Sequence, residues 1–126
     1  MSKTAVTSPE LAPPVGPFSH AIEIGGFLYV SGQVGQDPAT GKVVEGGIAA
    51  ETERVFRNLA AVLEAAGRRF DHVARAGVYL TSMSDFGAMN VIYAKYFSQP
   101  FPARTTIAVA AIPLGACVEI DLVVKA

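Results

Sequence analysis

The sequence predicts an α+β fold in which one mixed β-sheet carries two helices on one face. Three observations lead to this prediction. Short β-like runs occur at both ends of the chain, two intervening segments have helical periodicity, and 126 residues suffice for one domain (residues 1–126) with one hydrophobic core. The predicted order of elements is β-β-(β)-α-β-α-β-β.

The first elements predict a hairpin. A proline-containing lead-in that ends at Pro17 is expected to be extended, because proline has no main-chain N–H to donate. Two β-like runs follow, residues 20–24 and 27–31. Between them, Gly25 and Gly26 supply the positive φ angles that a tight hairpin turn requires.

Helical periodicity indicates two later segments. Over residues 47–66, apolar residues recur at steps of three and four, and Gly67 provides a stop. The second helix is predicted to have its cap at Ser82 or Ser84, and prolines follow it. Its predicted apolar stripe consists of Phe86, Met89, Tyr93 and Phe97.

Three β-like segments complete the predicted sheet. One, residues 73–81, lies between the helices, and two more, residues 104–112 and 117–125, follow them. Tyr29 and Tyr79 are interpreted as core residues. The order of strands within the sheet is not readable from this pattern.

Composition narrows the classes of function. Hydrophobic residues make up 51% of the chain and charged residues 17%, so a small monomer would expose much apolar surface, and a homo-oligomer is expected. A net charge of −1 provides no strong field for nucleic acid or membranes. The lone Cys117 excludes an internal disulfide and argues against a thiolate metal site. Because no signal peptide or membrane-spanning stretch is recognisable, a cytoplasmic location is expected.

Arg104 is the most informative candidate for a functional residue. It begins an apolar strand on the same face as Thr106, and its guanidinium needs an anion because it cannot lose its charge. A carboxylate matches its planar fork. That carboxylate belongs either to a ligand or to an internal acid, Glu119 or Asp121, and the spacing leaves both alternatives open.

Three further candidates also have two interpretations each. Glu119 is either an acid that positions water and moves a proton, or an exposed or arginine-paired carboxylate. Asn90 offers its amide either to a ligand or to a loop backbone. Ser31 and Gly32 form either an anion-binding backbone segment or a strand bulge. His20 resembles no part of a triad or metal set, so the residues alone support an anion pocket and no named reaction.

The chain resembles the Rid (YjgF) family of reactive intermediate deaminases in six motifs that occur in family order. The motifs are GPFS at 16–19, YVSGQ at 29–33, EAAG at 64–67, Asn90 with Tyr93, FPAR at 101–104 and VEI at 118–120. The resemblance extends over essentially the whole chain. It implies a chorismate-mutase-like α+β fold and a homotrimer in which the sheets form an inner barrel, with clefts between subunits.

The resemblance also implies a reaction. Active members hydrolyse 2-imino acids, the tautomers of reactive enamines, to 2-keto acids and ammonia without a metal or organic cofactor. The alternative is a non-catalytic protein that uses the same cleft to bind or sense a keto acid or an amino-acid-like ligand.

The family roles transfer to matching residues of this chain. Arg104 matches the residue that binds the substrate carboxylate, and Glu119 matches the acid that orients the attacking water. Asn90, Ser31 and Gly32 match residues of the family's cleft. Phe18 and Thr106 stand at substrate-binding positions where many active members have a tyrosine and a cysteine, and these two departures are expected to affect the rate or the substrate choice without abolishing the reaction.

Overall fold

The computed structural model of the protein describes residues 2–125. Met1 and Ala126, which the predicted domain of residues 1–126 includes, lie outside the described residues. One six-stranded sheet carries two α-helices on one face, which confirms the predicted α+β fold. None of the helices in the described part of the chain is long and apolar enough to cross a membrane.

The sheet has the order β1-β2-β3-β6-β4-β5, in which β4 and β5 are parallel and all other neighbours are antiparallel. The strands are β1 (Thr4–Val6), β2 (Ala21–Ile24), β3 (Phe27–Gln33), β4 (Val73–Leu80), β5 (Ala103–Ala108) and β6 (Val118–Lys125). The helices are α1 (Gly47–Ala65) and α2 (Phe86–Tyr96), with short 3-10 turns at Phe70–His72, Met83–Asp85 and Pro113–Gly115. The last strand, β6, therefore lies at the centre of the sheet.

The predicted hairpin is confirmed. Strand β2 pairs with β3 in antiparallel register, and Gly25 and Gly26 have φ angles of 62° and 80°. The lead-in is not merely extended, because its residues 4–6 form an edge strand, β1, that pairs with β2. The residues of β1 are exposed or only partly buried, so no apolar alternation indicated this strand.

Several predicted elements end at a different residue in the structure. Strand β3 continues to Gln33 rather than ending at residue 31. The strand that begins near Arg104 ends at Ala108 rather than at residue 112. Its partner β4 ends at Leu80, so no residues of β4 are left to pair with the chain after Ala108. The second helix ends at Tyr96, and Phe97 has an extended backbone with φ −125° and ψ 146°. The Phe97 side chain is nevertheless buried, as the predicted stripe requires.

The predicted serine cap belongs to a different element. Ser82 Oγ accepts a hydrogen bond from the main-chain N–H of Ser84 at 3.2 Å, which caps the 3-10 turn before α2. Helix α2 itself begins without a side-chain cap.

The core lies between the helices and one face of the sheet, here called the helix face. Phe56 of α1 stacks on Tyr96 of α2, with ring centroids 4.4 Å apart. Strand β6 contributes four side chains that are at most 2% exposed, namely Val118, Ile120, Leu122 and Val124. Alternation along β6 therefore directs Glu119 and Asp121 to the opposite, open face.

The interpretation of Tyr29 as a core residue is wrong, whereas Tyr79 packs against a second, small hydrophobic cluster that contains Val34, Ile112 and Ala116. Tyr29 is 48% exposed and stands between the buried residues Leu28 and Val30, while Tyr79 is only partly buried and bonds to Asp121. Both tyrosines occupy the open face because each alternates with core residues along its strand.

Candidate functional site

Arg104 lies on the helix face of the edge strand β5. It pairs with Ala76, a fully buried residue of β4. Its guanidinium carbon lies 4.7 Å from the ring centroid of Tyr93 and 5.6 Å from that of Phe86, both on α2. The aromatic faces stabilise the positive charge and hold the side chain in place without neutralising it.

Three polar atoms of the same strand and helix lack hydrogen-bond partners. Asn90 Oδ1, Tyr93 Oη and Thr106 Oγ1 are buried and unpaired within the described residues. Buried polar groups are nearly always paired in native proteins, so such a group is typical of a site that a ligand or another subunit completes. Burial raises the pKa of Tyr93, while the positive charge of Arg104 acts in the opposite direction. We call these four residues the Arg104 cluster.

The internal ion pair that the spacing left open is not present. Neither ion pair found among residues 2–125 includes Arg104. The sheet register gives the reason, since Arg104 opposes Ala76 whereas Glu119 opposes Tyr79, three residues further along β4. Side chains alternate between the two faces along a strand, so Ala76 and Tyr79, three residues apart on β4, point to opposite faces. Their neighbours Arg104 and Glu119 therefore lie on opposite sides of the sheet.

Glu119 lies over an irregularity in β3. The register between β3 and β6 shifts between Val30 and Gln33, which confirms the bulge that was one interpretation of Ser31 and Gly32. A Cβ at Gly32 would stand 2.6 Å from Oε2 of Glu119, closer than non-bonded atoms approach. The missing side chain of Gly32 therefore provides the space that the carboxylate occupies.

Glu119 has an unusual electrostatic environment. Burial raises the pKa of its carboxyl, and the negative charge of Asp121 raises it further. Asp121 Oδ2 in turn accepts a hydrogen bond from the Tyr79 hydroxyl at 2.9 Å, and this bond raises the pKa of Tyr79. A carboxyl with a raised pKa is suited to exchanging protons near neutral pH.

A cavity of about 590 Å³ opens beside Glu119, within the size range of small-molecule sites. Phe18, Ser31 and Gly32 line it together with Glu119, so the structure brings these predicted site residues together. The other predicted residues, Arg104, Asn90 and Thr106, belong to the Arg104 cluster on the other face. We call this cavity the Glu119 pocket.

His20 fixes one wall of the Glu119 pocket, a role that sequence reasoning missed. The side chain is 3% exposed, its Nδ1 accepts a hydrogen bond from Ser8 N at 3.1 Å, and its Nε2 donates to Ala12 O at 3.0 Å. Nearby, Ser31 Oγ donates to Ser19 O at 2.6 Å. Since the partner atoms belong to the main chain, no pattern of residue types could have revealed them.

The described residues therefore form two separate groups. One contains the guanidinium of Arg104 beside aromatic rings, and the other contains the carboxyl group of Glu119 in a largely apolar cavity. Among residues 2–125, no three His, Cys, Asp or Glu side chains form a group that could hold a metal ion.

Comparison with known proteins gives consistent similarities. Residues 9–126 match the family model described as Endoribonuclease L-PSP. The 2-iminobutanoate/2-iminopropanoate deaminase of Mus musculus is 43% identical over 109 residues, 86% of this chain and 81% of the relative. The protein of that name in Dermatophagoides farinae is 39% identical over 125 residues, 98% of both chains. The crystal structure of YyfA from Yersinia pestis, of the conserved Rid protein family, matches with TM-score 0.95 and 37% identity, over 99% of this chain and 100% of that one.

Proposed function

Because the chain belongs to the Endoribonuclease L-PSP family, the YjgF/Rid family, we propose that it hydrolyses 2-imino acids to 2-keto acids and ammonia. Relatives that span nearly the whole chain at about 40% identity carry the name of such deaminases. The observation that carries the proposal is the guanidinium of Arg104, which has no acidic partner within the described chain and stands among unpaired polar atoms. A substrate carboxylate is the anion that this guanidinium lacks.

We assign the complete site to the interface between two copies of a homotrimer. Within one chain the sheet separates Arg104 from Glu119, so a small substrate cannot reach both side chains. In a cyclic assembly unlike surfaces meet, and the Arg104 cluster of one subunit would face the Glu119 pocket of the next. The open sheet face supports assembly, since it exposes the apolar side chains of Tyr29 and Ile107.

In this site Arg104 binds the substrate carboxylate through two parallel hydrogen bonds and holds the imine carbon C2 beside Glu119. Ionised Glu119 accepts a proton from water while the water oxygen bonds to C2, and the imine nitrogen receives that proton. The carbinolamine hydroxyl then gives its proton to the amino group through Glu119. The C–N bond breaks, ammonia leaves, and the 2-keto acid remains.

Mixing two inactive variants tests this proposal. Arg104→Ala removes the carboxylate anchor, and Glu119→Gln removes the proton carrier at constant size. Turnover is measured with 2-iminopropanoate, generated by an amino-acid oxidase in competition with capture by semicarbazide. The two variants are dissociated and reassembled in equal amounts. About one quarter of the interfaces then combine an intact Arg104 with an intact Glu119, because each of the two subunits is the required variant in about half of the cases. Roughly one quarter of wild-type turnover is therefore expected.

The outcomes separate the two parts of the proposal. No regain of turnover in mixed trimers would contradict a site shared between subunits. If the wild-type protein does not compete with semicarbazide for any imino acid, it is not a deaminase, and calorimetry with keto acids then tests the binding function.

A further inference from the structure

Leu114 has an unfavourable backbone conformation that core packing does not explain. It is the sole residue other than glycine among residues 2–125 with a positive φ, with φ 62° and ψ 17°. This left-handed region brings the β-carbon of an L-residue close to its own backbone. Because the side chain is 59% exposed, its burial in the core does not compensate for the strain. Such strained residues concentrate at functional sites.

The exposed side chain of Leu114 stands at the Glu119 pocket. The pocket wall around it is mainly apolar and includes Leu11, Pro14, Val15, Phe18 and Val34. Phe18 presents an aromatic ring without a hydroxyl, so it offers no hydrogen bond to a polar ligand. The described lining contains no lysine or arginine, and its carboxylate, Glu119, would repel an anion.

The charges therefore favour one orientation of a 2-imino acid. Its carboxylate lies outside the Glu119 pocket, at a guanidinium, and its side chain points inward. The wall that this chain contributes to the cavity is mainly apolar, so a substrate side chain that enters it meets apolar groups. A larger apolar side chain would remove more apolar surface from water, on both the ligand and the wall.

From these observations we infer that the Glu119 pocket holds the substrate side chain and that Leu114, at its wall, selects 2-imino acids with bulky apolar side chains. Imino acids derived from leucine or phenylalanine belong to this class. The inference rests on the proposed deaminase function and names its substrate class.

Leu114→Gly tests the inference without disturbing the backbone. Glycine adopts the left-handed conformation freely, so the turn is retained while the side chain is removed. We expect the wild-type kcat/KM to be about tenfold higher for the leucine-derived than for the alanine-derived imino acid. We expect Leu114→Gly to lower this ratio about tenfold, in line with the discrimination that hydrophobic pockets achieve. Thermal unfolding of both proteins is measured alongside.

Val91→Ala provides the matched control. Val91 is an exposed apolar residue of α2 that does not line the Glu119 pocket, so its truncation is expected to leave the ratio unchanged. A wild-type ratio near one, or a ratio that Leu114→Gly does not lower, overturns the inference.

A failure of the proposed function would be recognised separately, since the wild-type protein would then hydrolyse neither imino acid. In that case calorimetry compares binding of 4-methyl-2-oxopentanoate with binding of pyruvate. Tighter binding of the former that Leu114→Gly abolishes supports the side-chain pocket, and equal binding overturns it.

Discussion

Oε2 of Glu119 lies 2.6 Å from the position that a β-carbon of Gly32 would occupy. The carboxylate therefore rests against the backbone of the β3 bulge in a place that any larger residue would fill. Gly32→Ala is expected to displace the carboxylate and to lower kcat for 2-iminopropanoate about 100-fold, since a shift on the order of 1 Å has effects of this size. Steady-state kinetics with the captured imine measure this change.

Gly87→Ala is the matched control for this substitution. A β-carbon at Gly87, in the first turn of α2, would meet no atom within 4 Å. Because alanine is favoured over glycine in helices by about 0.5–1 kcal/mol, this variant should keep its activity and gain stability. Equal activity of the two variants would show that the Gly32 contact does not position Glu119.

The charge of Asp121 predicts a shift in the pH profile. Ionised Glu119 is the form that accepts a proton, so kcat/KM should rise with pH as Glu119 ionises. Asp121→Asn removes the negative charge that raises the pKa of Glu119 and keeps an oxygen that can accept from Tyr79. The acid limb of the kcat/KM profile should therefore move to lower pH.

Tyr79→Phe serves as the control in the same measurement. It removes the hydroxyl opposite Glu119 but leaves the Asp121 carboxylate in place, so the acid limb should not move to lower pH. An Asp121→Asn profile that coincides with the wild type would contradict the assignment of Glu119 as the proton acceptor.

Much of the fold could be predicted from the sequence because its signals are local. The two glycines between β2 and β3 and the apolar period of α1 depend only on neighbouring residues. The central position of β6 is a long-range property that no local pattern contains. The stop of β5 at Ala108 likewise depends on where its partner β4 ends.

For the functional site, the sequence predicted the family and the candidate residues but not how these residues are arranged relative to each other. Six motifs indicated the Rid family, and the family match confirms this resemblance, although the roles of the individual residues stay predictions. Periodicity placed Arg104 and Glu119 each on one face of its own strand. Whether the two faces coincide depends on the register with β4, which only the structure provides. The strain at Leu114 is a backbone property and is equally invisible in the sequence.

The raised pKa of Glu119 also predicts a conflict between function and stability. Because the pKa in the folded protein exceeds its ordinary value of 4.5, the folded state holds the proton more tightly than the unfolded state. The free energy of unfolding therefore decreases as pH rises from 4.5 through the folded pKa, and the ionised carboxylate destabilises the protein above it. Glu119→Gln cannot ionise, so its Tm should exceed that of the wild type at pH 7 and approach it near pH 4.

Differential scanning calorimetry at the two pH values measures this difference, and the same variant should have lost turnover. Asp121→Asn should show a smaller gain in Tm at pH 7, because it removes the repulsion from the second carboxylate and leaves the burial of Glu119. A Tm of Glu119→Gln that is equal to or below the wild-type value at pH 7 would mean that the ionised carboxylate has stabilising partners in the folded protein. Glu119 would then be a carboxylate that stabilises the fold rather than a group that transfers protons during the reaction.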